Sequence, residues 1–323
     1  MTCGNANVTA SFVPIEYATK EACQKGKQSW GVGNYRVVQT PSSNPVWVPA
    51  RTPNPIPVYR PKKCPPRARS QIPLMLWQTG RGNSVREHNN ATQVATHLAT
   101  LLMGDGIKHS WHNDTAARLF VASECPFALH AYDCLRPHAY RADLWRYCVL
   151  YRRGGFYLDA EDVPLVPLSS LVRPCDTLVL ANDMCSFMSE DLFARRKSAS
   201  SERPACPHAG VQISFMAAIP GHPFFRCAME RLMHNVAIRH YGPTNLFITG
   251  PPVAGWCLEQ LHSRMDYTME LSQGTGALFL EQTPVIRTHV LKRSDYKNPT
   301  SYGSLWRSRE VYQPACAHNR SGP

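Results

Sequence analysis

The sequence predicts an α/β fold with a mostly parallel central sheet flanked by helices, and three observations indicate it. Residues 72–77 (IPLMLW) form a short apolar run that ends at the polar QTGRGN, as a buried strand does where it enters a loop. Residues 140–153 (YRADLWRYCVLYRR) carry apolar residues at helical spacing, and Gly154 follows where a helix would end. A second glycine and the β-favouring residues 156–158 then begin another strand. Strands that alternate with helices are typical of a largely parallel sheet.

The remaining elements continue this alternation along the chain. Pro223 favours a helix start, and Gly104 favours a helix end. Ligands of such a sheet bind beyond the carboxyl ends of its strands, so the residues after each strand are the candidates for a site. The expected bounds are helices over 91–103 and 222–240, and strands over 107–111, 177–180, 212–217 and 277–279.

Residues 1–70 differ in composition from the rest and are predicted to be a basic, Pro-rich tail, poorly ordered or wrapped around the core. They hold ten of the 27 prolines and ten lysines or arginines against two glutamates, in a chain with a formal charge of +12. The run from Pro41 to Arg69 alternates proline with polar and basic residues, as polyproline or disordered chain does. Residues 71–323 are therefore expected to form the single folded domain.

The apolar segments and the cysteine pattern predict the cellular compartment of the protein. No window reaches the roughly 18 apolar residues of a membrane span, and the first residues, MTCGNANVTASF, lack the pattern of an export signal. The twelve cysteines show neither a CxxC pair nor zinc-finger spacing. We therefore expect a cytoplasmic protein whose cysteines are mostly free thiols. The four Asn-x-Ser/Thr sequons would then be chance matches, and they begin at Asn7, Asn90, Asn113 and Asn319.

The stretch GGFYLDAEDVPL, residues 154–165, gathers three carboxylates at the end of a predicted strand. Acids so close together repel one another and resist loss of water, so solvent or a cation must offset their charge. Side chains alternate along an extended chain, which would put Asp159 and Glu161 on one side and Asp162 on the other. Asp159 and Glu161 are therefore the predicted chelating pair for Mg²⁺ or Mn²⁺, which prefer carboxylate, water and phosphate oxygens. A solvated acidic turn without an ion is the alternative.

A composite pattern runs from the helix over 140–153 into this acidic stretch: S/A-D-x-x-R-Y, then Gly-Gly, then a strand that ends in an acid. It resembles the glycosyltransferases with a DXD-containing sugar-binding region, which include fungal α-1,6-mannosyltransferases, capsular polysaccharide transferases and, distantly, the clostridial toxin glucosyltransferase domains. The resemblance covers roughly residues 71–306 and implies a GT-A type, Rossmann-like nucleotide-sugar-binding fold. The matching positions are Ala142, Asp143, Arg146, Tyr147, Gly154, Gly155, Tyr157, Leu158 and Asp159.

Further segments resemble motifs of that family in the same order. IPLMLWQTG resembles its opening strand, which implies that Trp77 and Gln78 lie near the nucleotide base. SWHNDTAARLFVASECP, IPGHPF and ITGP resemble its W-x-D, P-G-H-P and T-G-P segments. YGSLWR contains Ser304 and Trp306, which look like the S-x-W element that closes over the diphosphate and the metal. His289 is a further candidate metal ligand by the same resemblance.

The resemblance also assigns donor-binding roles in the central helix and strand. Asp143 and Arg146 lie one helical turn apart and would hydrogen-bond hydroxyl groups of the donor sugar. Tyr157 belongs to the same implied donor site. An ion pair on the surface of the helix is the alternative for Asp143 and Arg146.

Two positions depart from the family pattern. The second acid of D-x-D is Glu161, one methylene longer and followed by Asp162, so Asp159 with Asp162 is a second possible chelating pair. Family members often have an asparagine near the strand before P-G-H-P, where this chain has Gln212 and Ser214.

The resemblance implies a metal-dependent, retaining glycosyltransferase. It would move a sugar from a UDP- or GDP-sugar to a hydroxyl of a glycan, protein or lipid acceptor, with Mn²⁺ or Mg²⁺ stabilising the departing diphosphate. No residue is marked as the catalytic base. Two alternatives remain at this point: a relative that binds sugar nucleotides without turnover, and a nucleic-acid binder that acts through the basic tail.

Overall fold

The computed structural model describes residues 70–84, 87, 106–183, 210–274, 276–280, 282–288 and 299–316, together with the backbone of residues 31–32, 35–39 and 45–49. Residues 1–50 and 51–323 form two compact units. The smaller unit contains an antiparallel sheet of β1 (Gly31–Val32), β2 (Tyr35–Gln39) and β3 (Pro45–Pro49). Regular strands therefore occur inside the predicted tail, because β2 and β3 are rich in valine and aromatic residues that favour strands. The predicted division at residue 70 stays a prediction.

A nine-stranded mixed sheet forms the centre of the larger unit. Its strands are β4 (Met75–Thr79), β5 (Lys108–His112), β6 (Gly155–Leu158), β7 (Val163–Pro164), β8 (Leu178–Asn182), β9 (Val211–Ala218), β10 (Thr268–Gly274), β11 (Ala277–Leu280) and β12 (Thr283–Arg287). Their order across the sheet is β5-β4-β6-β9-β8-β10-β11-β12-β7.

The α/β class is confirmed, whereas the expectation of a mostly parallel sheet is wrong. Three neighbouring pairs are parallel, namely β4 with β5, β4 with β6, and β8 with β10. Strand β9 runs antiparallel between β6 and β8, and β10, β11, β12 and β7 pair antiparallel in succession. Apolar runs identify strands but carry no information about the direction of their neighbours, which is why the sequence pattern failed here.

Six helices lie in the described part of the larger unit: α1 (Asp114–Glu124), α2 (Pro126–Cys134), α3 (His138–Arg153), α4 (Pro223–Ala237), α5 (Pro251–Leu261) and α6 (Tyr302–Arg307). The helices predicted over 140–153 and 222–240 are confirmed as α3 and α4, and Pro223 is the first residue of α4. The helix predicted over 91–103 lies outside the described residues. Within the described residues, no helix has the length and apolar character needed to cross a membrane.

The sheet is buried on both faces. Tyr157 of β6 and Met216 of β9 face a core that all six helices share, whereas Phe156 and Phe215, their neighbours in the chain, face a second core. Side chains of a strand alternate between faces, so apolar residues at consecutive positions indicate burial on both sides. The short strand β6 is therefore held firmly, and the residues directly after it have a fixed position.

Every cysteine in the described part of the chain is in a disulfide, so the expectation of free thiols is wrong. The sequence does not reveal these bridges because most partners lie far apart and show no characteristic spacing. His130 lies near one bridge, with a ring nitrogen 3.5 Å from the Cys134 sulfur. The potential ligand atoms of His130, Cys134 and Cys316 are close enough together to hold a metal ion. The two sulfurs are bonded to each other and are not available as thiolates. The bridges with both cysteines described are Cys125–Cys148, Cys134–Cys316 and Cys227–Cys257.

Candidate active site

Two glycines with positive φ join α3 directly to β6. Gly154 (φ 63°) is the C-cap of the helix and Gly155 (φ 92°) begins the strand. A Cβ on Gly155 would lie 2.5 Å from the Met75 carbonyl oxygen, and one on Gly154 would lie 2.7 Å from the Ala218 carbonyl oxygen. Glycine alone fits both the backbone conformation and these close approaches. The helix and the acidic turn after the strand are therefore held in one arrangement.

The acids after β6 form a tight turn. The Asp162 amide donates to the Asp159 carbonyl oxygen at 3.0 Å, which closes a turn over residues 159–162. The expectation that these side chains alternate along an extended chain is wrong, because the turn rotates the backbone between them. Asp159 is half-buried and Glu161 is exposed, whereas Asp162 is buried. Asp159 and Glu161 are therefore the accessible acids of the turn.

The Arg146 guanidinium connects the helix to this turn. Its Nη2 lies 3.0 Å from Asp143 Oδ1, and its Nη1 lies 3.2 Å from Asp159 Oδ1 and donates to the Ile213 carbonyl oxygen at 2.7 Å. The guanidinium also lies over the Tyr157 ring, with Cζ 4.4 Å from the centroid. Burial opposes the charge of Arg146, but the nearby carboxylates of Asp159 and Asp143 raise its pKa overall. Arg146 is thus a permanently charged connection between α3, β6 and β9.

Asp143 is the buried partner of this arginine. The Thr249 hydroxyl donates to Asp143 Oδ2 at 2.6 Å, while Asp143 Oδ1 pairs with Arg146. The Tyr147 hydroxyl in turn donates to the Thr249 carbonyl oxygen at 3.2 Å and fixes that segment against the helix. Burial raises the pKa of Asp143 to about 6, and the charge of Arg146 and the Thr249 hydrogen bond limit the rise. Both oxygens of Asp143 are therefore committed to contacts within the protein.

Asp159 has one oxygen occupied and one open. Its Oδ1 accepts from the Tyr157 hydroxyl at 2.6 Å and pairs with Arg146. Its Oδ2 makes no hydrogen bond with any residue that the structure describes, and the side chain is 38 % exposed. The open Asp159 oxygen is a suitable donor for a hard divalent cation that also takes phosphate oxygens and water, and Glu161, two residues further on, is exposed. The residues of the turn therefore fit Mg²⁺ or Mn²⁺.

Unpartnered polar atoms lie on both sides of the Asp159 backbone. The Gln78 side-chain amide donates to the Asp159 carbonyl oxygen at 3.3 Å, and the Asp159 amide donates to the Ser214 carbonyl oxygen at 2.8 Å. The Gln78 Oε1 and Ser214 Oγ atoms are buried without a hydrogen-bond partner. The Gln212 Oε1 accepts a hydrogen bond from the Ser214 amide at 3.1 Å, so the Gln212 side chain folds back toward Ser214. Buried polar atoms without partners are costly, so a water molecule or a ligand beside Asp159 would satisfy these two.

Trp77, the middle residue of β4, lies within a group of aromatic rings. Its indole N–H donates to the Gly154 carbonyl oxygen at 2.8 Å, and its ring centroid is 5.9 Å from that of His112 and 6.4 Å from that of Phe120. The indole thus joins β4 to the glycine turn. Its predicted role as a stacking face for a nucleotide base stays a prediction.

The residues predicted near the chain end have structural contacts of their own. The Trp306 indole N–H donates to the Tyr241 carbonyl oxygen at 2.8 Å. The Ser304 hydroxyl lies 3.1 Å from the Ser301 hydroxyl and accepts from Arg307 at 3.1 Å within α6. His289 lies outside the described residues. The roles of Ser304, Trp306 and His289 around a diphosphate and a metal stay predictions.

The structure brings together four of the residues singled out from the sequence: Asp143, Arg146, Tyr157 and Asp159. Gln78 and Ser214 join them through the Asp159 backbone. Thr249 was not predicted as a site residue, although its segment, ITGP, was one of the matched motifs. The contact of Arg146 with the Ile213 carbonyl oxygen could not be predicted from the sequence, because every residue has a main-chain carbonyl group.

Comparison with known proteins agrees with the resemblance. Residues 74–178 match the model of the family described as glycosyltransferase sugar-binding region containing DXD motif. Inositol phosphoceramide mannosyltransferases 3 and 2 of Schizosaccharomyces pombe are 26 % and 29 % identical to this chain over 182 residues, which are 56 % of this chain. These alignments cover 43 % and 44 % of the two proteins, so the chain spans less than half the length of these curated relatives. Among solved structures, the PaToxG glycosyltransferase is 15 % identical with a TM-score of 0.35, over 58 % of this chain and 69 % of that one.

Proposed function

We propose that this chain is a metal-dependent, retaining glycosyltransferase, because residues 74–178 match the model of the family described as glycosyltransferase sugar-binding region containing DXD motif. The donor is a UDP- or GDP-sugar, the acceptor is a hydroxyl group, and the cation is Mn²⁺ or Mg²⁺. The turn Asp-Ala-Glu-Asp at residues 159–162 takes the place of D-x-D.

One observation carries the proposal: Arg146 binds Asp143 and Asp159 at once and leaves Asp159 Oδ2 open beside the exposed Glu161. If the only requirement were to neutralise Asp143 and Asp159, each carboxylate would have a basic partner of its own. Here the guanidinium and the Tyr157 hydroxyl hold one oxygen of Asp159 and orient the other outward. When bound, a divalent cation in this place supplies charge stabilisation to the departing diphosphate.

The protein groups then have distinct roles. Arg146 and Tyr157 position Asp159, and Asp143 with Thr249 keeps Arg146 in place. Gln78 and Ser214 offer their unpartnered polar atoms to the donor beside the Asp159 backbone. The catalytic base stays unassigned, and a route in which the departing diphosphate itself assists deprotonation of the acceptor requires none.

The names of the relatives suggest which donor and acceptor to test first. Because two relatives are named inositol phosphoceramide mannosyltransferases, we propose mannose as the first donor sugar and a phosphoinositol lipid as the first acceptor. The cytoplasmic location expected from the sequence is untested, and the disulfides favour the proposal that the chain folds in an oxidising compartment.

A nucleotide-sugar screen tests the proposal. Purified chain with intact disulfides is incubated with UDP- and GDP-sugars and Mn²⁺, and release of UDP or GDP is measured. We expect release with Mn²⁺ and none in excess chelator, and a loss of roughly 100-fold in Asp159→Asn. Asp133→Asn, which removes an exposed acid on α2, is the matched control and should keep full activity. Full turnover in chelator would refute the metal dependence, and nucleotide-sugar binding without release would favour the inactive relative.

A further inference from the structure

Two arginines occupy backbone positions at which glycine is usual. Arg239 (φ 51°) follows α4 and Arg309 (φ 61°) follows α6, and no other non-glycine residue of the described part has a positive φ. After each arginine, the next amide bonds back to the residue five positions earlier, His240 to Asn235 and Glu310 to Leu305, both at 2.8 Å. This is the Schellman end of a helix, where a side chain is disfavoured relative to glycine. Arginine at both positions is therefore unusual, which directs attention to what the two side chains contact.

Both guanidinium groups lie on one pair of tyrosines. The Arg239 Cζ is 5.3 Å from the Tyr312 ring centroid, and the Arg309 Cζ is 4.4 Å from the Tyr241 ring centroid. The two tyrosine rings meet edge to face with centroids 5.5 Å apart. We call Arg239, Tyr312, Tyr241 and Arg309 the arginine–tyrosine ladder. Stacking on the rings fixes the guanidinium planes and leaves their N–H edges as the bonding groups.

Within the described residues, no acid neutralises the positive charge of the ladder. No carboxylate in the described residues forms an ion pair with Arg239 or Arg309, and the Arg239 Nη1 is buried without an acceptor. Glu310, the neighbouring acid in the chain, pairs instead with Arg136 at 3.6 Å. Burial lowers the pKa of His240 to about 4, and the charge of the nearby Arg231 contributes to that shift. The surroundings of the ladder are therefore electropositive.

The ladder adjoins the helix that carries the site. Trp306 of α6 donates its indole N–H to the Tyr241 carbonyl oxygen, and the ring of Tyr302, also on α6, is 5.9 Å from that of Tyr140. Tyr140 lies one turn before Asp143 on α3. An acceptor bound at the ladder would thus be anchored beside the helix that positions the acidic turn.

We propose that the ladder binds a phosphate group of the acceptor, so that the acceptor is a phosphate-bearing glycan or lipid headgroup. This inference rests on the proposed transferase function. A planar guanidinium presents paired N–H donors that match two oxygens of one phosphate, and no carboxylate of the described residues is ion-paired with Arg239 or Arg309 to occupy those donors. The donor diphosphate is a second source of the same chemistry, and the experiment separates the two.

Calorimetry with the oxidised chain tests the inference. The probes are glycerophosphoinositol, uncharged myo-inositol, and UDP or GDP with Mn²⁺. The test variant is Arg239→Gly/Arg309→Gly, because glycine suits both backbone positions and removes both guanidinium groups. We expect wild type to bind glycerophosphoinositol and not myo-inositol, and the variant to bind it at least about tenfold more weakly. Nucleotide affinity should be unchanged, and the melting temperature should stay within about 4 °C.

The control is Arg118→Gln/Arg264→Gln, which removes two exposed positive charges outside the ladder and should leave glycerophosphoinositol affinity unchanged. Equal binding by wild type and the glycine variant, or equal binding of glycerophosphoinositol and myo-inositol, would overturn the proposal. A loss confined to nucleotide affinity would overturn the acceptor assignment, since the phosphate would then be that of the donor. If the glycine variant does not fold, the exposed Arg309→Gln alone gives the same comparison. Absence of sugar transfer with intact glycerophosphoinositol binding would refute the transferase function and leave the ladder as a phosphate site.

Discussion

Replacing Arg146 with methionine tests whether one guanidinium holds the acids of the site together. Arg146 is 5 % exposed and contacts Asp143, Asp159 and the Ile213 carbonyl oxygen. Removal of one partner of a buried ion pair costs about 3–5 kcal/mol, because the remaining charge stays desolvated without its attraction. Burial already raises the pKa of Asp143 to about 6, and without Arg146 that pKa rises further. A carboxyl whose pKa is higher in the folded than in the unfolded chain stabilises the fold less as the pH rises through that interval. The loss should therefore be larger at pH 8 than at pH 5.

Urea unfolding followed by tryptophan fluorescence at the two pH values measures this loss with the disulfides intact. The control is Arg118→Met, which breaks an exposed pair with Asp133 at 2.7 Å. It should cost less than about 1 kcal/mol and equally at both pH values, because exposed ion pairs contribute little. If Arg146→Met cost no more than this control, or no more at pH 8 than at pH 5, the role of Arg146 as a buried connection would be refuted.

Three further predictions concern stability. Gly155→Ala should abolish folding, as seen by circular dichroism, because its Cβ would lie 2.5 Å from a backbone oxygen; Gly106→Ala, also at positive φ but with nothing within 4 Å, should cost only about 1 kcal/mol. His222 accepts from the Phe224 amide and burial lowers its pKa to about 4, so the stability it contributes is present above pH 6.5 and lost as the pH falls toward 4. The melting temperature should fall over that range, less steeply in His222→Asn, and equal slopes would contradict this. Cys227→Ala/Cys257→Ala, which opens a bridge of sequence separation 30, should lower the free energy of unfolding in urea by about 3–4 kcal/mol, and an unchanged value would argue against the bridge.

The elements of the fold could be predicted from local patterns, but their arrangement could not. The apolar run at the start of β4, the helical spacing of α3 and Pro223 at the start of α4 all mark structure that the chain forms locally. The antiparallel insertion of β9 between β6 and β8 depends on pairing between distant strands. The bridge Cys134–Cys316 spans 182 residues and likewise leaves no local pattern.

The candidate site also contains residues that local sequence patterns predict and residues that they do not. Asp143, Arg146 and Asp159 lie within one helix–turn–strand segment, so their spacing alone indicates that they meet. Thr249 reaches Asp143 from 106 residues away and the Ile213 carbonyl oxygen reaches Arg146 from 67 residues away. Only the three-dimensional fold shows that Arg146 is the centre of the site and that both oxygens of Asp143 already have partners within the protein.

Binding of Mn²⁺ in the presence of UDP or GDP tests the central claim most directly, since it asks whether the open oxygen of Asp159 takes a cation. Electron paramagnetic resonance of free Mn²⁺ measures the affinity without requiring turnover. We predict that wild type binds a single Mn²⁺ with the nucleotide, that Asp159→Asn binds it at least about tenfold more weakly, and that Asp133→Asn binds it as wild type does. Equal Mn²⁺ affinity in wild type and Asp159→Asn would contradict the claim.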